Sequence, residues 1–247
     1  MLKVFNLLII GLFFMSSDPQ TGFKEKQKTY SRVRTAYSEK ESSLKKELEA
    51  KGFEFSKINK IFIRALKKEM DLEVWIQKSD GKYHLFKTYK FCSFSGILGP
   101  KMKQGDLQIP EGVYTIDRFN PWSNFYLSLG VSYPNKADRI NSPYKSKGGD
   151  IFIHGNCVTI GCIPITDEFI KEFYVLCVES KNKGHEIPVH IFPFRMNFDL
   201  KTIPSYSEYA EGAEKLWPNL QPIFKDFEEK KTLSKISIDE KGKYFLQ

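Results

Sequence analysis

Hydrophobic and polar positions follow three different rhythms along this chain. Residues 24–50 are charged, and Tyr30, Val33, Tyr37, Leu44 and Leu48 return at approximately helical spacing before Lys51-Gly52 ends the run. So narrow an apolar stripe predicts an amphipathic helix, closed by the glycine and packed beside a larger unit. From Lys60 the rhythm shortens to β-rich runs at 61–63, 72–77, 83–91, 113–119, 126–131, 151–153 and 189–192. Turn chemistry at Asp80-Gly81, Gly99-Pro100 and Gly148-Gly149 separates them. These runs predict a mixed, mostly antiparallel sheet, sandwich-like or barrel-like. One helix within it begins at Thr166-Asp167-Glu168, an N-cap with an acidic first turn, and runs toward Ser180. Beyond Arg195, Leu216, Leu220, Ile223, Phe224 and Phe227 predict a second helix, with Pro218 and Pro222 near its first turns or dividing it. Segments 235–238 and 244–246, around Asp239-Glu240-Lys241-Gly242, predict a terminal hairpin. The fold class is α+β: a β-rich unit over 56–198, a helical segment over 21–55, and a helix-and-hairpin extension over 199–247.

The first 20 residues have another character. Lys3 precedes an apolar stretch from Val4 to Met15, broken by Asn6 and Gly11, and Ser16-Ser17-Asp18-Pro19 follows. A charged start, an apolar centre and a polar exit predict an export leader, too short for a comfortable membrane span. Met15 spoils the small-residue cleavage pattern before Ser17, so an uncleaved anchor is the alternative, and membrane contact is expected only through this segment. The expected location is the periplasm or cell envelope. With 247 residues, 41% of them apolar, the chain can fill one main core. Lys and Arg number 38 against 30 Asp and Glu, a net charge of +8. No compact basic cluster interleaved with aromatics accompanies that charge, which argues against nucleic acid as a partner and describes a generally cationic surface.

Chemistry concentrates in His154-Gly155-Asn156-Cys157-Val158-Thr159-Ile160-Gly161-Cys162, directly after the apolar run 151–153. A thiol attacks an acyl carbon as thiolate, which calls for a nearby imidazole to take its proton. Cys162 is the candidate nucleophile and His154 the candidate base. The amides of Gly161 and Cys162 are candidates for the oxyanion hole, and the positive end of the following helix is a candidate support for the thiolate. His84, His185 and His190 compete as bases but have no cysteine close in sequence. A zinc site built on His154, Cys157 and Cys162 lacks a fourth ligand at recognisable spacing, so neither metal nor cofactor is expected. Cys177 falls on the apolar stripe of the helix, with Phe169, Ile170, Phe173 and Leu176, and reads as buried; Cys92 reads as structural. Cys157 has two readings, a packed neighbour or a disulfide partner of Cys162, with packing preferred.

At these residues the chain resembles the L,D-transpeptidase family of bacterial cell-wall enzymes (YkuD-type catalytic domain). Its signature is a His-Gly followed by [Ser/Thr]-His-Gly-Cys, matched here by His154-Gly155 and Thr159-Ile160-Gly161-Cys162. The short spacer and Ile160 in place of histidine are typical of the murein L,D-transpeptidase branch, with its H-G-x-C-x-[ST]-x-G-C core. The resemblance extends over 72–75, Gly99-Pro100-Lys101, Gly105-Asp106, Pro110-Glu111-Gly112-x-Tyr114, 127–129, Tyr133-Pro134-Asn135 and 191–196. It implies a thioester on Cys162, a His154 oriented through backbone oxygen in the Gly155 region, and a Thr159 that orders the loop. It also implies peptidoglycan stem peptides as substrate, with a second stem, an envelope lipoprotein or water as acceptor. Neighbourhood alone assigns Asn156, Tyr133 and Arg139 to the stem. The reading from a different class is a catalytically inactive envelope domain that binds peptidoglycan.

Overall fold

A computed structural model describes residues 22–58 and 60–247, so the leader expected over residues 1–20 lies outside the described residues. In chain order the elements are α1 (Phe23–Lys28), α2 (Ser31–Ala50), β1 (Ile61–Leu66), β2 (Asp71–Gln77), β3 (Tyr83–Lys90), β4 (Gly112–Asn120) and β5 (Ser128–Val131). There follow α3 (Lys136–Asn141), β6 (Phe152–His154), β7 (Ile163–Pro164), α4 (Thr166–Asn182), β8 (Pro188–Phe192), α5 (Ala213–Lys230), β9 (Ile236–Ile238) and β10 (Tyr244–Leu246). Strands β1 to β8 form one mixed sheet in the order β3-β2-β1-β8-β4-β5-β6-β7, and β9 pairs with β10 as the terminal hairpin. Only β1 with β8 and β6 with β7 are parallel.

Because side chains alternate across a strand, each strand supplies both faces of the sheet. Ile61, Ile63 and Ala65 of β1, Leu72, Val74 and Ile76 of β2, Val189 and Ile191 of β8, Leu129 and Val131 of β5, and Ile153 face one way. They form the main core with Val33, Ala36, Leu44 and Leu48 of α2 and Ile170, Phe173, Leu176 and Cys177 of α4. The opposite face is covered only in part. Leu66 and Phe192 pack on Trp217, Leu220 and Phe224 of α5, while Phe62, Trp75 and Tyr83 pack on Phe227. No residue of β5, β6 or β7 belongs to either of these clusters, and it is there that His154 stands. A buried ion pair keys α5 to the sheet: Arg64 donates to Glu73 (2.7 Å) and to Glu228 of the helix (2.5 Å).

The helix expected over 24–50 is two helices. Thr29 Oγ1 donates to the Lys26 carbonyl (2.8 Å), the Arg34 guanidinium donates to the carbonyls of Lys28 and Thr29, and Tyr30 is extended, so the chain restarts at Ser31. Side-chain bonds of this kind offer the backbone an alternative to continuing the helix. α5 runs through both Pro218 and Pro222 without dividing. Its stripe of Ala213, Trp217, Leu220, Ile223, Phe224 and Phe227 is buried, and that burial offsets the two missing backbone bonds. α3 and β7 have no counterpart in the hydrophobic rhythm. α3 rests on a reciprocal cap between Asn135 and Asp138, while β7 is two residues long.

Candidate active site

Strand register decides which side chains share the uncovered face. Ser128 of β5 is opposite His154 of β6, which is opposite Pro164 of β7; one residue away, Leu129, Ile153 and Ile163 form a row that points into the core. His154 and Phe152 therefore point to the side that α5 leaves free, where loops rather than a helix close over His154. One residue before β7, Cys162 falls beside Phe152, whose amide donates to Cys162 Sγ at 3.4 Å. Candidate nucleophile and candidate base thus occupy neighbouring strands, one row apart, on one face.

The turn that delivers Cys162 is organised by one hydroxyl. Thr159 Oγ1 accepts from the amides of Gly161 (3.2 Å) and Cys162 (2.8 Å) and donates to the Cys162 carbonyl (2.8 Å). Gly161 has φ +131, outside the reach of ordinary side chains, and a Cβ there would sit 3.0 Å from the Gln108 carbonyl. The two amides expected to face an oxyanion are therefore turned inward to Thr159. Ile160, at the tip of the turn, is 78% exposed.

His154 is buried and its Nδ1 lies 2.5 Å from the Gly155 carbonyl. A carbonyl only accepts, so Nδ1 carries the proton and Nε2 keeps the basic lone pair. Phe125, from the loop between β4 and β5, stacks on the imidazole at 4.6 Å and 28°. Gly155 is a close approach: a Cβ would meet Asp167 Oδ1 at 2.5 Å and the Phe125 carbonyl at 2.8 Å. Burial pushes His154 below its ordinary value, only partly opposed by the Gly155 carbonyl. Burial likewise pushes the Cys162 thiol up, against the Phe152 amide and the Lys101 charge, which favour the thiolate. Both shifts favour the uncharged thiol and imidazole over the resting ion pair that a lowered thiol pKa would give. The polar contacts of Cys162 Sγ come from Phe152 N and from Asp150 O (3.6 Å), and none comes from the start of α4. At the start of α4 the Asp167 carboxylate accepts from the Asn156 amide (2.8 Å).

A buried polar frame holds the loop that carries Lys101. Glu111 accepts from the Gly99 amide (2.6 Å), Lys67 Nζ (2.9 Å) and Trp217 Nε1 (2.7 Å). Asp106 accepts from Lys101 Nζ (2.5 Å) and from the amides of Met102, Lys103 and Gln108. The motifs Gly99-Pro100-Lys101, Gly105-Asp106 and Pro110-Glu111-Gly112 thus fix Lys101 on Asp106 and set the Gln108 carbonyl against Gly161.

Cys157 is bonded to Cys92, with Cα atoms 5.3 Å apart, and Cys162 is free. Neither reading of Cys157 from the sequence anticipated this. The Cys92 amide donates to the Pro164 carbonyl (3.0 Å), so the segment leaving β3 runs beside β7 and meets the turn after His154. As half of a disulfide, Cys157 has no thiolate to offer a metal. Asn156 is exposed with φ 64 and stands at the rim of the site. Tyr133 is buried, and its hydroxyl donates to the carbonyls of Lys101 (3.2 Å) and Lys147 (3.0 Å), a latch between two loops. Arg139 is exposed on α3, whose Ala137 packs in the α5 cluster away from His154. Of the other histidines, His84 pairs with Asp80 (2.9 Å) and His190 is enclosed between Phe62 and Phe192. Phe125, Lys101 and Asp150 join the site with no signal of their own in the sequence beyond the motif around Lys101.

Residues 68–191 match the family model of the YkuD L,D-transpeptidase catalytic domain. The chain is 32% identical over 181 residues to "Putative L,D-transpeptidase YafK" of Escherichia coli (strain K12), covering 72% of this chain and 70% of that protein. Among solved structures, a substituted form of the helical cell shape determining protein Pgp2 from Campylobacter jejuni is 25% identical, with a TM-score of 0.43, over 55% of this chain and 47% of that one, so the match spans about half of its length. Unsubstituted Pgp2 is 19% identical, with a TM-score of 0.45, over 74% of each chain.

Proposed function

The chain belongs to the L,D-transpeptidase family, and on that premise we propose that it is an envelope enzyme acting on peptidoglycan stem peptides through a thioester on Cys162. The observation that carries this reading is a free thiol on the same sheet face as an Nδ1-protonated imidazole, one row away on the neighbouring strand. In the proposed cycle Cys162 Sγ bonds to the stem carbonyl carbon as its proton passes to His154 Nε2. The tetrahedral adduct then expels the leaving amine, which takes that proton from the imidazolium. An incoming amine or water next gives its proton to Nε2 and attacks the thioester, and Cys162 leaves with the proton returned. Burial that favours the neutral thiol and imidazole suits this sequence, because charge then develops only during attack. A second stem, a lipoprotein lysine and water can all serve as acceptor on the same thioester.

Intact-mass analysis with purified stem peptides tests the proposal. The expected result is a protein mass raised by one acyl stem, absent in Cys162→Ala, with a cross-linked, lipoprotein-linked or hydrolysed product naming the acceptor. A thiol-directed carbapenem should label Cys162. A protein that binds stems yet is labelled by neither reagent is the inactive binding domain instead.

A further inference from the structure

The row of the sheet that holds Cys162 also holds a guanidinium. Arg118 of β4 is opposite Gly130 of β5, Gly130 is opposite Phe152 of β6, and Phe152 touches Cys162 through its amide. A bulge puts Arg118 on this face: Ile116 pairs with Val131 but Arg118 with Gly130, so Asp117 is the extra residue. In a regular strand Arg118 would follow Ile116 toward the core. The inserted residue sends Asp117 and Arg118 outward and returns Phe119 to the core side. Gly130 then leaves the row open. A Cβ there would stand 2.7 Å from Arg118 Nε, so the arginine lies across the glycine, with its guanidinium 4.8 Å from the Phe152 ring centre.

What the guanidinium holds also bears on the thiol. Arg118 Nε donates to Asp117 (3.0 Å) and Nη1 to the Asp150 carboxylate (2.8 Å), while the Asp150 backbone carbonyl is 3.6 Å from Cys162 Sγ. The Asp150 side chain is 83% exposed, so a ligand carboxylate can reach the guanidinium in its place. A carboxylate held at a half-exposed arginine, beside an aromatic ring and in line with a nucleophile, marks where a substrate carboxylate can sit.

We propose that Arg118 is a specificity-determining anchor for a carboxylate of the acyl-donor stem, which replaces the Asp150 carboxylate on the guanidinium and so aligns the scissile carbonyl with Cys162 Sγ. This rests on the stem-peptide reading above. The family resemblance implies cleavage after a diaminopimelate-type third residue, so two carboxylates of such a stem have the required chemistry: the side-chain carboxylate of that residue and the C-terminal carboxylate beyond the scissile bond. Arg139, the arginine singled out by sequence neighbourhood, lies on α3 and not on this row.

The test uses full-length protein and three tetrapeptide stems: both carboxylates free, the third-residue side chain amidated, and the C-terminus amidated. Calorimetry on the Cys162→Ala protein reads binding, and mass spectrometry on the parent protein reads turnover. Amidating the contacted carboxylate should weaken binding about tenfold or more, as expected for losing a hydrogen bond between charged groups. The stem that suffers names the carboxylate. Arg118→Gln in the same background should remove the preference, Arg118→Lys should keep part of it, and Asp150→Asn should tighten the free-carboxylate stem. Alkylation of Cys162 by iodoacetamide at parental rates in the Arg118 variants confirms an intact site. The anchor is overturned if turnover occurs but neither amidation changes binding, or if Arg118→Gln keeps the preference. A preference that depends on Arg118 without any turnover upholds the anchor and defeats the proposed reaction. No binding and no turnover defeats both.

Discussion

Replacing Thr159 by valine removes one oxygen and keeps the branched shape, which isolates what that oxygen does. It closes three bonds, two from the Gly161 and Cys162 amides and one to the Cys162 carbonyl. At roughly 1 kcal/mol net for each, the ceiling is about 3 kcal/mol. The turn is partly exposed and water can pair again with the freed groups, so we expect about 1–2 kcal/mol of global stability, or about 2–8 °C in Tm for a chain of this size. Function should suffer more, because the same bonds set the position of the sulfur, and a displacement of about 1 Å costs on the order of 100-fold in rate. Thr159→Val should therefore acylate about 10- to 100-fold more slowly, with Thr159→Ser near the parent. Intact-mass kinetics of Cys162 acylation by a carbapenem, beside a thermal melt, measures both. Acylation at the parental rate in the valine variant would show that the hydroxyl does not place the nucleophile. Faster acylation would show that the amides of Gly161 and Cys162, once released, are oxyanion donors, as the sequence motif suggested.

Three further outcomes are expected. With burial raising the Cys162 thiol and lowering His154, iodoacetamide labelling of Cys162 should increase with pH through a midpoint above the ordinary thiol value of about 8.5. His154→Ala should slow acylation about 10²- to 10⁴-fold while His185→Ala does not; a labelling midpoint below neutrality would restore the resting ion pair. Non-reducing peptide mapping should recover Cys92 joined to Cys157 with Cys162 free, and Cys157→Ser should lower stability by up to about 4 kcal/mol for a loop spanning 65 residues. Recovery of Cys157 joined to Cys162 would refute the arrangement. His190 is held down to about 3, first by burial and then by Arg64, from an ordinary 6.5. Below 6.5 the unfolded chain takes a proton that the folded state refuses, so stability should fall as pH drops toward 3, by up to about 2 kcal/mol between pH 6.5 and 5. Urea unfolding at pH 7 and pH 5 should show His190→Leu losing that slope, and an unchanged slope would rule out His190 as its source.

Local pattern reached far in this chain. Short runs rich in β-branched and aromatic residues such as 72–77 and 189–192, with Asp80-Gly81 and Gly148-Gly149 between runs, identify strands wherever the strand is later placed, and these two are buried on both faces. The stripe of α4 and the cysteine on it were legible from their helical spacing. Where a side chain redirected the backbone, pattern was insufficient: Thr29 and Arg34 divide the first helix, and the Asn135–Asp138 cap starts a short one.

Residue types and their order, His154-Gly155 ahead of Thr159-x-Gly161-Cys162, were enough to bring out the family and to suggest a thiol chemistry, since thiol, imidazole and hydroxyl are properties of single side chains. Which of them meet was a matter of register and of contacts distant in sequence. Pairing β6 with β7 puts Cys162 beside Phe152, and a one-residue bulge at Asp117 turns Arg118 outward. The segment after β3 brings Cys92 across 65 residues to Cys157. A shift of one residue in any of these strand pairings would reverse the face of every side chain involved while leaving composition and local pattern unchanged. That is why the sequence alone determined what the site is made of, and only the tertiary structure decided how it is assembled.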